Sequence, residues 1–166
     1  METRSSFREH ETGGAPAPRP YGLRLTEAVG IPHADAEGIT EAMIREVVVE
    51  FYRRAQRDDQ LGPVFEAYIE DWDYHLGRMT DFWSAALLRT GRYSGRPVEQ
   101  HRSIAGLSYE HFGRWIELFE ATVGDLCPPQ QARAFIVRAL RMREGMTKSL
   151  RLGAGAAANR GNGNLV

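Results

Sequence analysis

The sequence predicts an all-helical domain, and three observations lead there. Apolar residues recur at helical spacing in four long stretches. Clusters of glycine, proline and aspartate fall between those stretches. No run of four to eight residues alternates apolar and polar as a half-buried strand does, and no internal repeat is visible. With 166 residues and 42% hydrophobic content, the chain has enough material for a single domain with one real core.

The core begins at Thr40, a plausible helix N-cap followed by an acidic first turn. Ile44, Val47, Val48, Phe51, Tyr52 and Ala55 share one face of that first helix, and Asp58-Asp59 and Gly62-Pro63 end it. Val64-Phe65 reads as the corner that follows. Asp71 can cap a second helix running to about Leu88, with Trp72, His75, Leu76, Met79, Phe82, Trp83 and Leu87 on its inner face. Gly91-Arg92-Tyr93-Ser94-Gly95-Arg96-Pro97 is a turn in which glycine supplies positive φ and Pro97 sets the chain after it. A short or loose segment around Val98–Ile104 carries His101. Ser108 or Tyr109 opens a third long helix bearing His111, Phe112, Trp115, Ile116, Leu118, Phe119 and Val123. Cys127-Pro128-Pro129 breaks it, and a fourth helix starts near Pro129 with Phe135, Ala139, Met142 and Met146 as its inner stripe. The domain is thus expected over residues 38–150. Residues 1–37 and 151–166 are expected to be disordered extensions, because the first is rich in glycine and proline, the second in glycine and alanine, and both are poor in large apolar groups.

Composition excludes several classes. A formal charge of -1 and a pI of about 6.5 leave no electrostatic footprint for nucleic acid or an anionic membrane. Lys148 is the one lysine among 21 basic residues, a bias that carries no functional reading. Cys127 stands alone, so neither an internal disulfide nor a cysteine metal cluster is available. No apolar run approaches the roughly 18 residues of a membrane span, and the N-terminal residues lack the apolar segment of a secretory signal. A cytoplasmic protein is expected.

The chemistry-bearing residues are a spaced set: Phe51-Tyr52, Phe65, Trp72, His75, Phe82-Trp83, Tyr93, His101 and Trp115. Met79 stands one turn after His75, and Phe82 about one turn beyond it, on the same face. An apolar helix and a Gly/Pro turn separate His75 from His101, enough chain to climb one face of a flat ligand and return on the other. The arrangement suggests a haem between helices with one histidine on each side, since neutral imidazole is a common metal ligand. Tyr52 and Trp115, each an apolar body with one polar handle, can place an O–H and an N–H above one side of such a ligand. Arg78, Arg92 and Tyr93 can reach an acidic group at the pocket edge. Each residue also has a plainer reading. His75 can be a satisfied core histidine, His101 a surface one and His111 a structural one, with Tyr52 and Trp115 as ordinary core. A cofactor-free helical interaction module is therefore one alternative. A non-haem iron protein using His75, His101 and a carboxylate such as Asp71 or Glu99 is another, although no tight ligand motif supports it.

The strings Phe51-Tyr52, Leu61-Gly62-Pro63-Val64-Phe65, Asp71-Trp72-Asp73-Tyr74-His75-Leu76, Asp81-Phe82-Trp83, Tyr93-Ser94-Gly95-Arg96-Pro97, His101 and His111-Phe112-Gly113-Arg114-Trp115, in that order, resemble the group III truncated haemoglobins of bacteria. The resemblance covers about residues 38–150. It implies a shortened globin fold, two helices packed over two others around haem b (iron protoporphyrin IX). It further implies His101 as the proximal iron ligand, with Tyr52, His75 and Trp115 as the distal pocket. Phe65 would wedge the porphyrin, Arg78 would lie near a propionate, and Met79, Phe82 and Tyr93 would line the cofactor. The stretch from Phe65 to Trp72 is short for this family, and the terminal extensions have no counterpart in it.

Such a site implies tight binding of O2, and of NO, CO or peroxide. It suits chemistry on those ligands or ligand sensing better than bulk oxygen transport. A peroxidase-like or NO-detoxifying activity would draw electrons from an external reductase, because the chain shows no glycine-rich dinucleotide fingerprint.

Overall fold

A computed structural model describes residues 38–153. The expected terminal extensions, 1–37 and all but the first three residues of 151–166, lie outside that range. Six helices follow one another: α1 (Glu41–Ala55), α2 (Gly62–Tyr68), α3 (Trp72–Leu88), α4 (Pro97–Arg102), α5 (Tyr109–Leu126) and α6 (Pro129–Leu150). Among the described residues there is no strand.

The four long helices are the ones the periodicity predicts, with the expected caps. Thr40 Oγ1 accepts from the Met43 N–H at 3.2 Å and Asp71 Oδ1 from the Tyr74 N–H at 2.9 Å. Each cap satisfies one of the amides that a helix start leaves without a partner. Ile44, Val47, Val48, Phe51, Tyr52 and Ala55 form the buried face of α1. α3 and α6 both stop in a left-handed residue, Arg89 at φ 58° and Arg151 at φ 57°.

Two elements differ from expectation. The corner holding Val64-Phe65 is itself a short helix, α2, and His101 sits on another, α4. In both, proline occupies the first turn, where its fixed φ suits a helix start and its missing N–H is not needed. α2 starts tightly against the end of α1, since a Cβ on Gly62 would stand 2.7 Å from the Gln56 carbonyl oxygen. Glycine is the residue that permits this approach.

α1 packs on α3 and on α5, and α5 packs along α6, which also meets α3 and α4. The first pair, α1 and α3, therefore lies over the second, α5 and α6. The shared core centres on Phe119, fully buried, with the Trp83 ring stacked on it at 4.8 Å and the Trp115 ring at 4.9 Å. Offset stacking of this kind adds roughly 0.5–1.5 kcal/mol per pair beyond the area buried. Trp83 and Trp115 also line a cavity.

Candidate functional site

A cavity of about 440 Å3 is lined by residues of α2, α3, α4 and α5, with Met142 and Met146 contributed by α6. Its volume is in the range of small-molecule and cofactor sites. Tyr52, Phe65, His75, Arg78, Met79, Phe82, Tyr93, His101 and Trp115 all line it, so the candidate residues scattered along the sequence converge on one space.

On one wall, Tyr52 stands edge-on to His75 with ring centroids 4.7 Å apart, and Phe65 and Trp72 hold it from the other sides at 5.4 and 6.1 Å. Burial pushes the Tyr52 hydroxyl far above the usual phenol range, so it is a donor at any ordinary pH. The Nε2 atom of His75 is buried without a hydrogen-bond partner. Desolvation by burial, the larger cause, lowers the His75 pKa and favours the neutral ring. A buried polar atom left unpaired costs about 1–3 kcal/mol. A polar ligand in the cavity would remove that cost. Only residues 69–71 separate α2 from α3, and this short corner leaves His75, one turn into α3, reaching the cavity.

His101, carried on α4, also lines the cavity. Its Nδ1 is 2.7 Å from the carbonyl oxygen of Pro97, one turn back on α4. A carbonyl only accepts, so Nδ1 carries the proton and the neutral ring keeps its Nε2 lone pair free. This is the arrangement that orients a metal-ligating histidine and raises its basicity. Phe112 supports the ring at 6.0 Å. Trp115 is fixed by Phe119 on one face and by Phe51 edge-on at 5.0 Å.

At the rim, the Arg78 guanidinium lies over the Tyr93 ring at 4.7 Å, and Phe82 meets the same ring edge-on at 5.2 Å. Gly95 packs so closely on Tyr93 that an added Cβ would collide with the phenol hydroxyl. Of the turn's two glycines, Gly91 supplies the positive φ, at 70°, while Gly95 supplies space. Arg92 does not face the cavity: it is bound to Glu41 at 2.6 Å and Asp81 at 3.3 Å. His111 is both structural and pocket-lining, since its Nδ1 accepts from the Ser108 N–H at 3.2 Å while the ring borders the cavity.

Sequence reasoning missed Tyr68, Ile104, Leu107 and Arg143, which also line the space. The Tyr68 hydroxyl accepts from the Ala105 N–H at 2.7 Å, bridging the end of α2 to the loop after α4. Arg143 neighbours Met142 on the inner stripe of α6, and that adjacency is the one signal that pointed to it. Among the described residues, no three His, Cys, Asp or Glu side chains converge as a metal site, so the two-histidine, one-carboxylate triad has no third ligand. No helix of the described residues is long and apolar enough to cross a membrane.

No protein-family profile matches the chain. The group 3 truncated hemoglobin of Campylobacter jejuni subsp. jejuni is 29% identical over 107 residues, spanning 62% of this chain and 84% of that protein. The crystal structure of the group III truncated hemoglobin from Campylobacter jejuni superposes with a TM-score of 0.65 at 27% identity, covering 69% of this chain and 93% of that one. The family resemblance carried by the motifs is thus borne out, and the fold is the shortened globin fold.

Proposed function

We propose that this relative of the group III truncated haemoglobins holds a b-type haem in the cavity, with His101 Nε2 on the iron. What carries the reading is that two imidazoles from different helices, α3 and α4, line one cavity, each with a ring nitrogen left for a ligand. His101 is turned by Pro97 so that Nε2 is free to ligate, and His75 Nε2 is buried without a partner. The donor set suits haem: one neutral imidazole as ligand, an aromatic and thioether lining from Phe65, Phe82, Met79 and Met142, and Arg78 at the rim for a propionate. A haem, when bound, supplies reversible binding of diatomic gases and one-electron chemistry, while the protein sets ligand and polarity.

Tyr52, edge-on to His75, and Trp115 would be the donors to a bound ligand. A hydrogen bond to a charged group is worth roughly 1.5–3 kcal/mol, so each one made to a polarised gas ligand slows its release by about ten- to a hundred-fold. Two such donors favour slow release. Chemistry on O2, NO or peroxide, or ligand sensing, fits that behaviour better than oxygen delivery, and turnover would draw electrons from an external reductase. A cofactor-free interaction module would have no use for an interior cavity lined by two imidazoles.

The test is the colour of the purified protein and of His101→Ala. The parent should show a Soret band after haem is added. The variant should lose most of its haem, with partial recovery in imidazole. Full haem occupancy and an unchanged ferrous spectrum in His101→Ala would remove His101 from the iron.

A further inference from the structure

α4, which carries His101, has little of its own to hold it. It is six residues long, none of them is buried, and no side chain caps its start. Apart from its packing on α6 and the Phe112 ring beside His101, its position depends on the chain at its two ends. Behind it, Ala105 is tied to the Tyr68 hydroxyl. Ahead of it lies the loop 89–96, which has no regular structure.

One buried hydroxyl holds that loop. Ser84, near the end of α3, is fully buried. Its Oγ is 2.8 Å from Glu41 Oε1, 2.9 Å from Thr90 Oγ1 and 2.7 Å from an Arg92 guanidinium nitrogen. A serine hydroxyl has one proton and two lone pairs. Glu41 only accepts, so it takes the proton, and Thr90 and Arg92 must both donate. The capacity of the oxygen is used in full. Arg92 also pairs with Glu41 at 2.6 Å and Asp81 at 3.3 Å. The Ser84 bond to Glu41, followed by the Arg92 guanidinium, holds the Glu41 carboxyl below its ordinary range and keeps it charged.

The hub thus fastens two residues of the loop to α3 and to the start of α1. Tyr93, the next residue, lies under Arg78 and against Phe82, and Gly95 is packed on its ring. Pro97, whose carbonyl orients His101, follows two residues after Gly95. We propose that the Ser84–Thr90–Arg92–Glu41 hub is a positioning device that sets where α4 stands and so how His101 addresses the cavity. The hub touches no ligand. It acts through the loop, and the inference rests on the haem reading above.

The experiment uses the full chain, haem-loaded, as parent, Ser84→Ala, Arg92→Gln, Arg92→Lys and the remote control Glu50→Gln. Two readouts are taken: the iron–histidine stretching band of the ferrous protein by resonance Raman, and the rate of haem transfer to an excess apoprotein acceptor. Hydrogen exchange of the 89–96 amides is followed on the same proteins without haem. Ser84→Ala and Arg92→Gln should shift the band and speed haem transfer by about five- to ten-fold, the size of one or two lost bonds. Exchange in the loop should rise in both. Arg92→Lys, which keeps the charge but not the fork, should fall between, and Glu50→Gln, which is destabilised away from the loop, should leave the iron–histidine band unchanged. A haem-loaded parent whose Ser84→Ala and Arg92→Gln variants keep its band, transfer rate and loop exchange overturns the inference alone. A parent that takes up no haem overturns the haem reading, and the inference falls with it. Arg92 is a half-exposed side chain, so Arg92→Gln carries the same test if Ser84→Ala does not fold.

Discussion

Tyr52 holds its hydroxyl on a ring fixed by Phe65, Trp72 and His75, so the donor has little freedom to lose when a ligand arrives. Tyr52→Phe should keep haem and raise O2 release by about ten-fold or more, as stopped-flow displacement would show. Trp115 and His75 divide the remaining work by rigidity. Trp115 is stacked on Phe119 and mid-helix, whereas His75 stands one turn after a three-residue corner with its Nε2 unpaired. Trp115→Phe should therefore chiefly speed O2 release. His75→Leu should chiefly change the rate of CO and O2 entry. Exchanged effects in flash or stopped-flow binding would mean the two roles are reversed. These residues were readable in the sequence because large aromatics at helical spacing mark inner faces. Ser84 was not, because a buried serine looks like any other serine until its three partners are known.

At the scale of elements, legibility followed length. α1, α3, α5 and α6 each span several turns, so their apolar stripes and breakers stand out against the background. α2 and α4, of seven and six residues, complete no more than two turns, too little for a period to be counted. Proline in the first turn was the local signal for both. That α4 carries His101 was the larger miss, because the Pro97 carbonyl can turn the imidazole only if one helical turn separates them. Caps were legible, and one of them bears on the site. Asp71 starts α3 one turn before His75. Asp71→Ala should cost about 1 kcal/mol of stability by denaturant unfolding, and Asp71→Asn should recover most of it. Fraying there should also loosen His75, so the alanine variant should bind CO faster than the asparagine one.

Across the whole molecule, charge is spent on fastening helices rather than on marking a surface. Glu50 takes Arg53 at 2.6 Å and Arg54 at 2.7 Å, and Arg54 reaches on to Asp125 of α5 at 2.7 Å. Hydrogen bonds from Arg53 first and Arg54 second hold the Glu50 carboxyl down at about 2, from an ordinary 4.5. A depressed acid stabilises the fold above its unfolded pKa and loses that contribution as the pH falls through its folded one. Glu50→Gln should therefore be less stable than the parent at neutral pH, with the gap closing between about 4.5 and about 2 in acid titrations of unfolding. A gap that does not change with pH would leave Glu50 as a spacer without an electrostatic part.

The ring stack behind the cavity has an optical consequence. The chain has 3 tryptophans, and all belong to this region: Trp83 and Trp115 line the cavity, and Trp72 packs on Tyr52 and His75 beside it. No indole stands on a distant surface to emit independently of what the cavity contains. A porphyrin placed there would absorb the emission of all three at once, so the intrinsic fluorescence of this protein should be almost wholly extinguished by one equivalent of haem. The molecule is thereby its own titration indicator, with loading, loss and exchange of the cofactor readable without a label.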